Sequence, residues 1–282
     1  VWILIAQLIV VILAIYMGTR TSGIGLGVWG LVGVAVLIFV FGEAPGNAPV
    51  DAVFIVITVI TAASTMQAAG GIDWMVSVAA KVIRRKPKSV VFLAPAMSFL
   101  FTVGAGTGNI FYPLLPVIYD VSYQQKIRPE RALSVSAVAS QVGILCSPVS
   151  AATASMVVLL APQGVDLGGL LLIMWPASIA GLFVAALVMM RHGKDLEDDP
   201  EFQRRLESHQ IKPPVVDAHD TKLPRTAVLS AALFLIGVGV IVLFGLFEGL
   251  RPVIGTEDAG DPVRLSVTVI IEVVMGLSLI HI

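Results

Sequence analysis

Apolar runs long enough to cross a bilayer follow one another along almost the whole chain, and few folds can accommodate so many. A helix needs about 20 apolar residues to span the hydrocarbon, within a range of roughly 17–25. Trp2–Met17 reaches that length marginally, and Ile24–Phe41, Ala52–Ala69, Leu170–Met190 and Ala227–Phe247 reach it outright. Leu265–Ile282 begins a further run. Two others are long but interrupted: Val90–Tyr119 at Gly104-Ala-Gly-Thr-Gly-Asn109, and Leu133–Leu160 at Ser147-Pro148. Only 13% of the residues are charged and 57% are hydrophobic, against about 25% charged in a soluble domain. Lipid is therefore the expected solvent, and the fold class is an all-α membrane protein.

The basic residues orient the runs. Short cytoplasmic loops collect Lys and Arg. Arg20 lies in the first turn. Lys81, Arg84, Arg85, Lys86 and Lys88 follow the Ala52 run. Lys126, Arg128 and Arg131 follow the interrupted Val90 segment, and seven more lie between Arg191 and Arg225. These are sixteen of the eighteen cations; the other loops hold Arg251 and Arg264. Both ends of Val90–Tyr119 are thus basic and should face the cytoplasm. Each arm around its Gly-rich break is read as about 10–15 residues, or roughly 15–22 Å of helix, too short to cross about 30 Å of hydrocarbon. The segment is expected to be a re-entrant hairpin, its irregular tip buried in protein or lining a wet cavity.

Leu133–Leu160 carries a matching irregularity. As one helix its 28 residues would run about 42 Å. Pro148 removes a backbone donor and disfavours helix at Ser147. Ser147 as N-cap with Pro148 at the first helical position would start a second half-helix. In the hairpin, Thr107 or Asn109 could cap the outgoing arm. Two half-helix N-termini near mid-membrane would offer free N–H groups and the positive end of the helix dipole to an anion. Discontinuous helices of this kind mark substrate sites in secondary transporters. The candidate binding residues are Gly106, Thr107, Gly108, Asn109, Ser147, Pro148, Val149 and Ser150, with Thr65 and Gln67 as further donors. No Lys or Arg lies within an apolar run. An anion would be held by amides and hydroxyls, with a coupling cation, Na+ or H+, as an open possibility.

Other features have plainer readings. Cys146 is expected to be a small buried side chain, and as the single cysteine it excludes an intrachain disulfide. His192, His209, His219 and His281 show no metal spacing. Gly23-Ile-Gly-Leu-Gly27 lacks a preceding strand, so Gly23 and Gly27 are read as helix-packing positions. Gly104-x-Gly106-x-Gly108 lacks the Lys-Ser/Thr ending of a phosphate loop. The acidic cluster Asp195–Glu201 is expected to be a solvated loop. Glu272 stands alone in the last run, where an acid is a functional hypothesis by default. No signal peptide is read at the N-terminus. Both ends fall within apolar runs, which reads as a fragment cut at each side.

Collinear motifs now carry a resemblance. Ala62-Ala-Ser-Thr-Met-Gln-Ala-Ala-Gly-Gly-Ile-Asp73, Arg84-Arg-Lys-Pro-Lys88, Gly106-Thr-Gly-Asn109, Leu115-Pro-Val-Ile-Tyr-Asp120, Ile127-Arg-Pro-Glu-Arg131 and Cys146-Ser-Pro-Val-Ser150 resemble the anaerobic C4-dicarboxylate transporter (Dcu) family, DcuA/DcuB branch. Gly193-Lys-Asp195 and Glu201-Phe-Gln203 continue the likeness. The resemblance implies exchange or uptake of fumarate, malate, succinate and aspartate across the bacterial inner membrane, supporting anaerobic respiration, with no enzyme activity. It also implies similarity to an ion-transporter superfamily built from two inverted repeats, each with a re-entrant hairpin and a broken helix. On that pattern, residues 1–190 are the first repeat, with hairpin 90–119 and broken helix 133–160. Residues 191–225 are a cytoplasmic linker, and 226–282 start a second repeat. Partners would be a dicarboxylate and membrane lipid, not nucleic acid, with a homo-oligomer and a membrane sensor kinase left open. The alternatives are a carrier of another organic or inorganic anion, or a non-transporting partner of a sensor. An intramembrane protease would need a Ser–His pair in the core, and a prenyltransferase would need core-facing Asp-rich motifs; the chain offers neither pattern.

Overall fold

A computed structural model of the protein describes residues 2–21, 23–44, 50–208, 224–256 and 262–281. The chain forms two compact units, Val1–Pro49 and Val50–Ile282. The first is a helical pair, α1 (Trp2–Thr21) and α2 (Ile24–Phe39). Gly23 makes the turn, at a φ of 55° that favours glycine. The close packing expected of Gly23 and Gly27 falls elsewhere: a Cβ on Gly27 would meet open space, whereas one on Gly18 would strike Leu26 and one on Gly33 would lie 3.0 Å from Ala14 Cβ. Interhelical distance is set by which glycines face the partner helix, and sequence spacing alone does not fix that face.

The second unit contains α3 (Val50–Ala68), α4 (Gly71–Arg85), α5 (Val90–Ala105), α6 (Phe111–Gln124), α7 (Pro129–Leu145), α8 (Ala151–Leu160), α9 (Leu167–Met190), α10 (Pro200–Glu207), α11 (Arg225–Leu246) and α12 (Val267–His281). Its one antiparallel ribbon among the described residues pairs β1 (Val253–Thr256) with β2 (Pro262–Arg264). Among the described residues, four helical stretches are long and apolar enough to cross a membrane: Trp2–Thr21, Pro87–Ala105, Leu167–Met190 and Arg225–Leu246. The sequence places a full span at Ile24–Phe41; the helix there has 16 residues, about 24 Å. Large apolar side chains stay exposed along α9, including Leu172, Ile173, Phe183 and Val188. Such continuous apolar exposure suits contact with lipid.

α4 is the main element that a search for long apolar runs does not reveal. It bends by 70° from α3 and buries Ile72, Met75, Ala79 and Ile83, spaced three or four residues apart along one face of a helix. The break at residues 104–110 divides its segment as expected, but the arms are unequal. The outgoing α6 has 14 residues; the incoming α5 has 16 and continues a short 3-10 turn, giving 19 residues from Pro87 to Ala105. The sequence-based limit of 10–15 residues thus fails for the incoming arm. Arg84, just before α5, reaches Asp120 near the end of α6 at 3.9 Å. The two arms therefore start and finish at one place, which makes α5–α6 a helical hairpin.

The acidic cluster is docked, not merely solvated. Arg131, on α7 and 8% exposed, donates from Nε to the His192 carbonyl, from Nη2 to the Gly193 carbonyl and from Nη1 to Asp195, all at 2.7–2.8 Å. Arg128 pairs with Asp199 at 3.0 Å, and Lys126 with Glu197 at 3.8 Å. Leu196 is buried, and its N–H donates to the Lys126 carbonyl. Asp199 also accepts from the first amides of α10. Opposite charges brought together by the fold make this corner, and sequence distance hides it. His209, His219, Lys212 and Lys222 lie outside the described residues.

Candidate substrate site at two helix breaks

At the hairpin tip, Gly106 ends α5 with a φ of 69°. Thr107 is extended and is the cap of the outgoing arm; its Oγ1 accepts from the Asn109 N–H at 3.3 Å. A 3-10 turn, Gly108–Ile110, leads into α6. Of the two capping candidates the structure thus takes Thr107, and Asn109 is left exposed.

The second break runs from Cys146 to Ser150, between α7 and α8. The N-cap of α8 is Ser150, not Ser147. Ser150 has the extended backbone of a cap, and its Oγ accepts from the Thr153 N–H at 3.1 Å. Ser147 instead begins a turn: its carbonyl accepts from the Ser150 N–H, and its Oγ from the Val149 N–H, each at 3.3 Å. Pro148 follows as the second turn residue, a position its fixed φ suits. The helix starts only when that turn is complete. Ser150 Oγ donates to Thr153 Oγ1, which donates to the Leu145 carbonyl at 2.9 Å. These hydroxyls tie the start of α8 to the end of α7. Trp175 on α9 donates its indole N–H to the Cys146 carbonyl at 2.8 Å.

The two breaks meet. A Cβ built on Gly106 would lie 3.0 Å from the Val149 carbonyl oxygen and 3.2 Å from its Cγ2. Gly106 is therefore required both by its backbone angle and by this approach. Nearby, a Cβ on Gly108 would lie 3.2 Å from Ser140 Oγ and 3.3 Å from Ile144. Ser140 donates to the Gly108 carbonyl at 3.3 Å and lies 3.3 Å from Thr102 Oγ1. Gly143 lets α5 and α7 close up: a Cβ there would sit 2.9 Å from Thr102 and 3.1 Å from the Phe99 carbonyl.

Ser147, Pro148, Val149 and Ser150 are buried, while Gly106, Thr107 and Gly108 are partly open and Asn109 is exposed. The junction thus has a closed floor and a more accessible rim. The N–H groups of Ala151 and Ala152, first in α8, have no partner within their own helix. No formal charge occurs in residues 89–119 or 132–165. The local field is made by helix termini and hydroxyls, which favours an anion without fixing it by a strong ion pair. Among the described residues, no three His, Cys, Asp or Glu side chains gather as a metal site.

Thr65 and Gln67 do not join this constellation through any hydrogen bond. Thr65 Oγ1 is spent on the Thr61 carbonyl at 2.8 Å, and Gln67 is exposed on α3. Glu272 lies half-buried on α12. Thr102, Ser140 and Thr153 also support the breaks. Their signal is modest: Ser98/Thr102 and Ser136/Ser140 repeat small polar residues at one-turn spacing, a pattern shared with ordinary membrane-helix packing.

Interrupted helices that meet in an uncharged junction recur in the membranes of many organisms, and among them are secondary transporters. The match of residues 3–281 to the DcuA_DcuB family, described as anaerobic C4-dicarboxylate membrane transporters, agrees, and the chain belongs to that family. It is similar to the anaerobic C4-dicarboxylate transporter DcuB of Escherichia coli O6:H1, at 36% identity over 96% of this chain and 62% of the relative. The C4-dicarboxylate transporter DcuA of Escherichia coli K12 is 37% identical over 96% of this chain and 64% of the relative. DcuA of Helicobacter pylori J99 is 38% identical, covering 84% of this chain and 54% of the relative. The chain thus spans less than two thirds of the length of these relatives. No solved structure matches it.

Proposed function

We propose that the chain forms the first repeat, and the start of a second, of a secondary transporter exchanging or taking up C4-dicarboxylates across a bacterial inner membrane. Fumarate, malate, succinate and aspartate are the substrates, and residues 191–225 face the cytoplasm. The hairpin tip, residues 106–109, and the start of α8 after Ser147–Ser150 bind one carboxylate. The module that carries them moves with the substrate, and Na+ or H+ is the coupling ion. The organisation is that of the ion-transporter superfamily, with α5–α6 as a re-entrant hairpin and α7–α8 as a broken span.

The observation that carries this reading is the contact of Gly106 with Val149, which joins two interrupted helices in a segment free of formal charge. Ion pairs between loops support the topology. Arg131 links the start of α7 to the segment after α9, both assigned to the cytoplasm. Arg251 links the end of α11 to Asp166, the N-cap of α9, at 3.3 Å on the other side.

Counterflow tests the function. Proteoliposomes holding the protein at the length of its relatives, loaded with succinate, should accumulate labelled fumarate. Exchange of citrate or an inorganic anion without fumarate would overturn the C4 assignment. Asn109→Ala, at an exposed position, should raise the half-saturation concentration for fumarate with little loss of folded protein. An unchanged value there and in Ser147→Ala would remove the breaks from the binding site.

A further inference from the structure

The cations of this protein differ in their partners. Among the described residues, six of the eleven outside the α4–α5 corner are held by the fold: Lys126, Arg128, Arg131, Arg204, Arg205 and Arg251 each pair with a carboxylate. The corner between α4 and α5 differs. Lys81, Arg84, Arg85, Lys86 and Lys88 fall within eight positions, and all are exposed. Only Arg84 has an anionic partner among the described residues, Asp120 at 3.9 Å. Four cations crowded together without counter-charge repel one another, so the cluster is unfavourable unless an anion from outside covers it.

The setting of α4 says which anion. Its buried stripe of Ile72, Met75, Ala79 and Ile83 packs into the protein, and Lys81, Arg84 and Arg85 lie on the opposite face. Both of its ends meet points assigned to the cytoplasmic boundary. At the first, Cβ atoms on Gly70 and Gly71 would lie 3.2 Å from Ala227 and 3.0 Å from Ser230, in the opening turns of α11. At the second, Arg84 reaches the end of α6, and the chain enters α5 six residues later. A 15-residue helix about 22 Å long with both ends at one boundary runs along the membrane surface. Trp74, partly exposed on the same helix, is the residue type that favours the headgroup level. Basic clusters on amphipathic helices next to a membrane-spanning helix attract anionic lipid.

We propose that the α4–α5 corner, with Lys81, Arg85, Lys86 and Lys88 at its centre, is a binding surface for the phosphate headgroups of anionic phospholipid in the cytoplasmic leaflet. The lipid supplies the charge that the protein withholds and fastens α4 at the foot of the hairpin. This rests on the cytoplasmic placement of the corner and is independent of which solute is carried.

The test uses the purified chain in nanodiscs of phosphatidylcholine with a minority of photoactivatable lipid. A phosphatidylglycerol probe should crosslink to peptides covering residues 81–88, and a phosphatidylcholine probe should not. Crosslinking should fall with added salt. In the variant Lys81→Gln/Arg85→Gln/Lys86→Gln/Lys88→Gln it should drop by about tenfold or more, whereas Arg204→Gln/Arg205→Gln, which removes cations already paired, should leave it unchanged. Equal labelling by both probes, or labelling spread over other cytoplasmic peptides, overturns the proposal. If the fourfold variant does not fold, the probe comparison on the unaltered chain decides alone.

Discussion

Gly106→Ala isolates the contact on which the site depends. Two effects act on the new methyl group. At a φ of 69° an L-residue takes a left-handed conformation that costs roughly 1–2 kcal/mol. The methyl also meets the Val149 carbonyl oxygen at 3.0 Å and the carbonyl carbon at 3.3 Å. That neighbour is backbone, held in a turn by Pro148 and by two hydrogen bonds of Ser147, so it yields poorly. Overpacking of this kind adds about 1–3 kcal/mol. Reduced freedom of the opened chain offsets about 0.4–1 kcal/mol. The net is a destabilisation of roughly 1.5–4 kcal/mol, or about tenfold or more in local opening.

The protein contains its own reporter for this opening. Cys146 is the single cysteine, is fully buried and adjoins Ser147. A thiol-reactive fluorophore labels it only when the break opens. Gly106→Ala should speed labelling by about tenfold or more at constant temperature in detergent. Gly239→Ala is the control: its Cβ would enter open space on α11, and alanine is favoured over glycine inside a helix by up to about 1 kcal/mol. It should label no faster than the parent. A Gly106→Ala rate within twofold of the parent would refute the argument that the two breaks are locked together.

Three further outcomes follow from packing and charge. A Cβ on Gly168 would stand 2.5 Å from the Gly245 carbonyl oxygen, so Gly168→Ala should separate α9 from α11 and lower the melting temperature in detergent, whereas an unshifted midpoint would show that the helices do not close on these glycines. Arg131→Gln leaves two carbonyls and Asp195 without their donor; at about 0.5–1.5 kcal/mol net per hydrogen bond lost, tryptic cleavage at Lys194 should rise by about tenfold or more, and unchanged cleavage would refute the clasp. Hydrogen bonds from Arg204 and Arg205 hold the exposed Glu201 carboxyl below the ordinary carboxylate range. Its small contribution to α10 is present above the unfolded value and is lost as pH falls through the depressed one. Carboxyl NMR of the protein should find it ionised at pH 5, and titration at or above an ordinary glutamate would contradict the pairing.

Much of the organisation was legible in the sequence. Apolar length gave the spans at Trp2–Thr21, Leu167–Met190 and Arg225–Leu246, because a helix in lipid must be covered by apolar side chains over a fixed thickness. The Lys/Arg distribution pointed to a hairpin at Val90–Tyr119, and the arms do return to one place through Arg84 and Asp120. The glycines at 104–108 and the proline at 148 marked both breaks, since these residues interrupt helices through their own backbone chemistry. Cap placement was less legible. Ser147 and Ser150 are chemically equal as caps, and only the turn that Pro148 completes selects Ser150.

What the sequence alone determined, then, is local: where helices can run and where they must stop. Tertiary structure decided what touches what. It brought Gly106 against Val149, made Gly18 and Gly33 rather than Gly23 and Gly27 the close-packing glycines, and folded the acidic stretch 195–199 onto Arg128 and Arg131. The physical reason is the same in each case. A residue's own chemistry sets its backbone preferences, but a contact depends on the helix face and depth that packing assigns to both partners, and those partners lie about 40 to 70 positions apart in the clearest cases here.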